Sequence, residues 1–231
     1  MKKKIILLLF AALCVYFPIS VYGTGITLAV LNFENNSLFD SQNYNALSKG
    51  LSEIMITELS QVQSISIVER RKLQSLLDEL KLSQAGFTET ENSIQVGKML
   101  GARHLVFGGF IVTLDDKIRI DVRIVNVESG VTVKADQVTG NTKQILFLIG
   151  KLGKKIVKDL NVQMTDQEDR LLDRNQKIDL DAVLHFSRAL DYEDRGNLEL
   201  AYENYQKALQ IEPDFLQAQK NLDRLKIQNG E

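Results

Sequence analysis

The chain has 231 residues, 44% of them hydrophobic and 25% charged, a balance that fits one or two globular domains. Two prolines and 14 glycines exclude long collagen-like or disordered tracts, and a formal charge of −2 gives no electrostatic case for nucleic acid. The only cysteine is Cys14, so no internal disulfide can form.

The chain opens on Lys2, Lys3 and Lys4, followed by an apolar run from Ile5 to Phe17 that Pro18 breaks. That run is too short to span a bilayer, which needs about 20 apolar residues in a helix, and it reads as a signal peptide cleaved between Gly23 and Thr24. Leu13, not a small residue, precedes Cys14, so the cysteine reads as part of the apolar region and not as a lipidation site. The expected location is the periplasm or the outer-membrane surface.

Ile26 to Phe33 is almost continuously apolar, the pattern of a strand buried on both faces. Glu34 to Asn45 reads as a loop. Leu47, Leu51, Ile54, Met55, Leu59 and Val62 then recur at helical spacing. Ile65 to Val68 is a short strand, and Leu73, Leu76, Leu77 and Leu80 line a second helix. A third helix over Ser93 to Leu100 ends at Gly101, a helix-stopping position.

Three antiparallel strands are expected next, His104–Leu114, Lys117–Val127 and Val131–Thr139, with turns at Asp115–Asp116 and Ser129–Gly130. In the middle strand Ile118, Ile120, Val122 and Ile124 alternate with Arg119, Asp121 and Arg123, so one face is buried. Gly108–Gly109 falls within the first strand, where it signals a bulge or a close backbone approach. Ile145, Leu148, Ile149, Leu152, Ile156 and Leu160 mark a closing helix. Its Lys151, Lys154, Lys155 and Lys158 allow two readings, an interfacial membrane helix or a core helix with a solvated basic face; the domain's need for a closing helix favours the second. The fold class is therefore an α/β (α+β) sandwich with a mixed sheet over 24–162, a linker over 163–179 that allows a continuation of the closing helix, and an all-α region over 180–231.

In that last region Ala189, Tyr192, Gly196, Ala201, Tyr205, Ala208 and Pro213 stand at the small, aromatic, turn and terminating positions of a tetratricopeptide repeat, which this segment resembles. His185 departs from the bulky apolar residue usual there. A helix over Asp214–Ile227 resembles the capping helix of such arrays. The resemblance implies a concave protein-binding face with Val183, Phe186, Leu190, Glu193 and Asp194 as its lining, or a brace with no ligand of its own.

Three segments of the α/β region together resemble the CsgG family and the related N-terminal domain of TolB. They are Leu28 to Asn36, Ile67 to Arg70 with the helix that follows, and Gly97 to Gly109 with Arg123 to Gly130. The resemblance implies an exported component, associated with curli-type assembly in the envelope, that binds other proteins and can form homo-oligomers. Membrane-spanning hairpins need strands of about 9–11 residues beyond the scaffold, and the short turns here leave no room for them. A regulator of a peptidoglycan synthase, of the kind that activates penicillin-binding proteins, is the alternative on the same scaffold, and a hydrolase is a third. Neither a phosphate-binding glycine loop nor a G-x-S-x-G elbow occurs. His104 and His185 lie in different regions with no cysteine beside them. No catalytic, cofactor-binding or metal residues are therefore expected, and contact with a membrane is at most peripheral.

Overall fold

The computed structural model describes residues 25–80, 90–174 and 176–229. The expected cleavage point at Gly23–Thr24 and Cys14 lie outside them. Strand β1 (Ile26–Val30) leads to a two-residue strand β2 (Glu34–Asn35), a short helix α1 (Ser41–Tyr44) and helix α2 (Leu47–Leu59). Strand β3 (Ile65–Ile67), α3 (Arg70–Glu79) and α4 (Thr90–Met99) follow. A meander β4 (His104–Val112), β5 (Lys117–Asn126) and β6 (Thr132–Asn141) precedes helix α5 (Ile145–Asp159). Helices α6 (Asp166–Leu172), α7 (Leu180–Asp194), α8 (Leu198–Ile211) and α9 (Leu216–Asn229) complete the chain.

The sheet is mixed, in the order β3-β1-β4-β5-β6. β1 runs parallel to β3 and β4, which requires crossovers, and α2 with the α3–α4 pair supply them. β4, β5 and β6 are antiparallel and joined by tight turns. Because β1 is central, both of its faces are dry: Leu28 and Val30 join the core under α2 and α5, while Ala29 and Leu31 join a smaller core under α3 and α4. Ile118, Ile120, Val122 and Ile124 all face α2 and α5, as their period of two requires.

The segment 34–45, expected as a loop, contains β2 and α1. Asn35 organises it: its Nδ2 donates to Ser41 O at 2.9 Å and to Asn45 Oδ1 at 2.8 Å, and its Oδ1 accepts from Ser37 N–H at 3.0 Å. Short amide side chains bonding local backbone in this way give order without an apolar pattern.

A second departure lies in 163–179, expected as a linker, where α6 forms. Thr165 and Glu168 make a capping box, and Glu168 Oε1 also accepts from the Gln63 N–H at 2.8 Å. Leu172 is buried where Gly150 and Gly153 of α5 admit close approach. The Gln63 and Thr165 backbone N–H groups, both donating to Glu168, hold its carboxyl below its ordinary value. A carboxyl with a depressed native pKa stabilises the fold above its unfolded value near pH 4.3, and the contribution fades as pH falls through the native value. Glu168→Gln should therefore lower stability by about 1–2 kcal/mol at pH 7, with the gap closing in acid, as thermal melts at pH 7 and below pH 4 would show.

The stripe of α5, Ile145, Leu148, Ile149, Leu152 and Ile156, is buried against the sheet and α2, each such side chain being worth roughly 1.5–3 kcal/mol. It is therefore not free to lie on a bilayer. On its polar face Lys154 is paired with Asp169 and Asp173 of α6. Among the described residues no helix is long and apolar enough to cross a membrane.

Candidate interaction surfaces

The five residues expected to line an open groove do not line one. Val183, Phe186 and Leu190 are fully buried. Phe186 sits within the helical unit, its ring 4.9 Å from that of Phe215 and 5.9 Å from that of Tyr205. The apolar face of α7 that α8 leaves uncovered is filled by α2, and a single apolar cluster runs from the sheet through α2 into α7, α8 and α9. A lone helical pair with an exposed apolar face would be unstable, and the α/β layer covers that face.

The α2–α7 crossing is set by two small residues. A Cβ built on Gly50 would overlap Ser187 Oγ and stand 2.9 Å from Ser187 Cβ. Gly50→Ala should cost about 1–3 kcal/mol, and Ser187→Gly in the same chain should restore most of it, as chemical denaturation would show.

Glu193 and Asp194, the other two expected groove residues, join a charge cluster across this junction. Arg70 Nη1 lies 2.6 Å from Asp194 Oδ1, and Arg70 Nε lies 3.2 Å from Glu53 Oε2. Lys49 Nζ bridges Asp191 at 2.7 Å and Asp194 at 2.8 Å. Arg224 Nη1 reaches Glu193 Oε1 at 2.8 Å, while Tyr205 Oη donates to Glu193 Oε2 at 3.0 Å. The side chains of Arg70 and Asp194 are only 5% and 6% exposed. Burial raises the Glu53 and Glu193 carboxyls, against the pull of Arg70 on the first and of the Tyr205 hydroxyl and Arg70 on the second. Burial and then the Glu193 charge raise the Tyr205 hydroxyl too. These groups tie α2 and α3 to α7, α8 and α9.

A second surface is the part of the sheet that α3 and α4 leave uncovered. There a cleft of about 730 Å³ is lined by Glu34, Asn36, Gly109, Arg119, Asp121 and Arg123 among others. Its floor requires the glycine pair. A Cβ on Gly108 would stand 2.8 Å from the Asp121 carbonyl carbon and 2.9 Å from Val122 Cα, and one on Gly109 would meet Asn36 Nδ2 at 2.5 Å. The β4–β5 register runs without interruption through both residues, so they mark close approach and not a bulge. At its β6 rim Asp136 is paired with Lys155 at 3.1 Å and with the carboxyl of Asp159. Burial, then the neighbouring Asp136, raises the Asp159 carboxyl.

The histidines stay apart, as their positions in the sequence require. His185 Nδ1 lies 3.0 Å from Asn204 Oδ1 inside the α7–α8 pair, and burial, then Arg103, lowers the pKa of His104 at the start of β4. Among the described residues no group of three or more His, Cys, Asp or Glu could hold a metal ion.

Residues 23–115 match the family described as "Curli production assembly/transport component CsgG". The match runs from the start of β1 to the turn after β4. A curated relative, "Putative adenylate cyclase 3" of Rhizobium meliloti (strain 1021), is 26% identical over 206 residues. That alignment covers 85% of this chain, while the chain spans about a third of the relative's length (32%). Among solved structures the LpoB C-terminal domain from Escherichia coli is 15% identical, with 51% of this chain and 83% of that one covered and a TM-score of 0.40. Lipoprotein GNA1162 from Neisseria meningitidis is 12% identical, with 60% and 99% covered and a TM-score of 0.43.

Proposed function

We propose that the protein is an exported cell-envelope assembly or adaptor component that works by binding other proteins, on a CsgG-like scaffold without pore-forming hairpins. The observation that carries this reading is the CsgG match over 23–115, laid over a sheet whose β4–β5 and β5–β6 connections are tight turns. A location in the periplasm or at the outer membrane is part of the same reading.

Treating α7–α9 as one tetratricopeptide repeat with a capping helix belongs to the proposal as well. It is supported by the burial of Ala189, Ala201, Ala208 and Tyr205 and by the left-handed turn at Gly196 (φ 73°). Here the helical unit braces the α/β layer. A non-catalytic role is likewise proposed. Its support is that the nearly buried side chains of Arg70 and Asp194 are engaged with each other across the junction, while Glu193 is engaged by Arg224 and Tyr205.

Chemical crosslinking in intact cells, followed by affinity purification and light scattering, tests the reading. A defined complex with an envelope protein is expected. A penicillin-binding protein as the principal partner would favour the alternative of a peptidoglycan-synthase regulator, and recovery of free monomer alone would overturn both. The name of the curated relative suggests one further assay: the purified protein should form no cyclic AMP from ATP.

A further inference from the structure

From this point the inference rests on the adaptor reading and assigns that reading a surface. Three large apolar side chains stand in solvent at one end of the sheet: Leu38 is 89% exposed, Phe39 54% and Leu114 76%. They are neighbours by register. β2 runs parallel to β4, Asn36 N–H donates to Phe110 O at 2.8 Å, and Val112 N–H donates to Ser37 Oγ at 2.9 Å, which lays residues 38 and 39 beside the β4–β5 turn.

Both turns are held in shape. Asp40 takes a left-handed conformation (φ 47°) and accepts from Asn43 Nδ2 at 3.1 Å; Asp116 is left-handed too (φ 55°), and its carbonyl accepts from Thr142 N–H at 2.8 Å. Asp115 is fixed by Thr113 and Lys117. An apolar patch fixed on rigid turns and bare of cover is the mark of an interaction site.

The surrounding charge is negative. Besides its burial, the fields of Asp40, then Asp116 and Asp181, raise the Tyr44 hydroxyl. Of the neighbouring cations, Lys117 is paired with Asp115, while Arg188 bonds the neutral Asn43 Oδ1 and keeps its charge. An anionic lipid surface would be repelled by such a collar, whereas a cationic segment would be drawn to it.

We infer that Leu38, Phe39 and Leu114, flanked by Asp40 and Asp116, form a docking tip for a partner segment that is both apolar and basic. Leucines on such a segment cover the patch, and its lysines or arginines meet the carboxylates.

The test is a fluorescence-anisotropy titration of the whole protein with a labelled synthetic amphipathic peptide of leucine and lysine, and with a twin in which glutamate replaces each lysine. The lysine peptide should bind at least about tenfold more tightly than the twin. Leu38→Ser/Phe39→Ser/Leu114→Ser should lose about tenfold or more without any change of charge, and Asp40→Asn/Asp116→Asn should weaken binding and flatten its salt dependence. Leu38→Lys is a second, single-site variant, and circular dichroism confirms that each variant is folded. Equal binding by the triple variant, or by the twin peptide, overturns the assignment. So does binding of phosphatidylglycerol vesicles that depends on the three apolar residues, or self-association in sedimentation that the triple variant abolishes. If the triple variant still crosslinks to its envelope partner in cells, the tip is wrong while the adaptor reading stands.

Discussion

Arg70→Ala should destabilise the protein by about 3–5 kcal/mol, the largest loss expected from any single charge removal in the chain. The guanidinium is buried between Glu53 of α2 and Asp194 of α7, and taking it away leaves Asp194 with Lys49 alone and Glu53 with only the weaker field of Arg71. The cost is mainly that of uncompensated buried charge, not of a lost attraction. The pair can be dissected by a double-mutant cycle. Arg70→Met should be nearly as damaging as alanine, and Arg70→Met with Asp194→Leu should be less damaging than the two single losses added, by about 1–3 kcal/mol. Urea unfolding of the four proteins measures this. Additive losses would show that the cluster is not a coupled unit.

Gly108→Ala is the second large effect, expected to reach or exceed about 3 kcal/mol, at the upper end of overpacking penalties. What a methyl group meets there is backbone, the Asp121 carbonyl and Val122 Cα of the neighbouring strand, so no rotamer change can relieve it. The strand pair must separate, and β4 is the strand that joins the parallel half of the sheet to the antiparallel half. Gly101 gives the contrast. It has nothing within 4 Å of a built Cβ, and its φ of 69° alone penalises a side chain, so Gly101→Asn should cost little. Thermal melts of both variants decide the point: similar losses would mean that close approach is not what Gly108 serves.

The α/β layer could be read from the sequence because its signals are periodic. Alternation along 117–126 fixed which face of β5 is dry, and the 3.6-residue rhythm of Ile145 to Leu160 placed α5 on it. Two things stayed hidden for physical reasons. Segments 34–45 and 163–179 are ordered by side chain-to-backbone hydrogen bonds from Asn35, Ser37, Thr165 and Glu168, which leave no apolar pattern. For α6 the T-x-x-E spacing of Thr165 and Glu168 was a visible signal, that of a capping box.

The groove residues were misplaced for a different reason. An apolar face on a helix announces that something covers it, yet not what does. Val183, Phe186 and Leu190 read equally well as a surface for a stranger or for α2, and only the small-residue crossing of Gly50 with Ser187 settles which. The apolar tip was missed because Leu38–Phe39 and Leu114 sit in polar turns far apart in the chain and become a patch only once β2 lies along β4.

The shared helix α2 has a consequence for how the chain comes apart. Its inner side roofs the sheet and its outer side floors the helical unit, so neither half possesses a finished surface alone. A protease nick between α6 and α7 would not release two durable fragments; both halves would lose protection together, in one sharp transition under heat or denaturant. What looks in the sequence like a domain followed by an appendage shares one apolar cluster and should unfold as one cooperative body, so any rearrangement that transplants one part should carry the other with it.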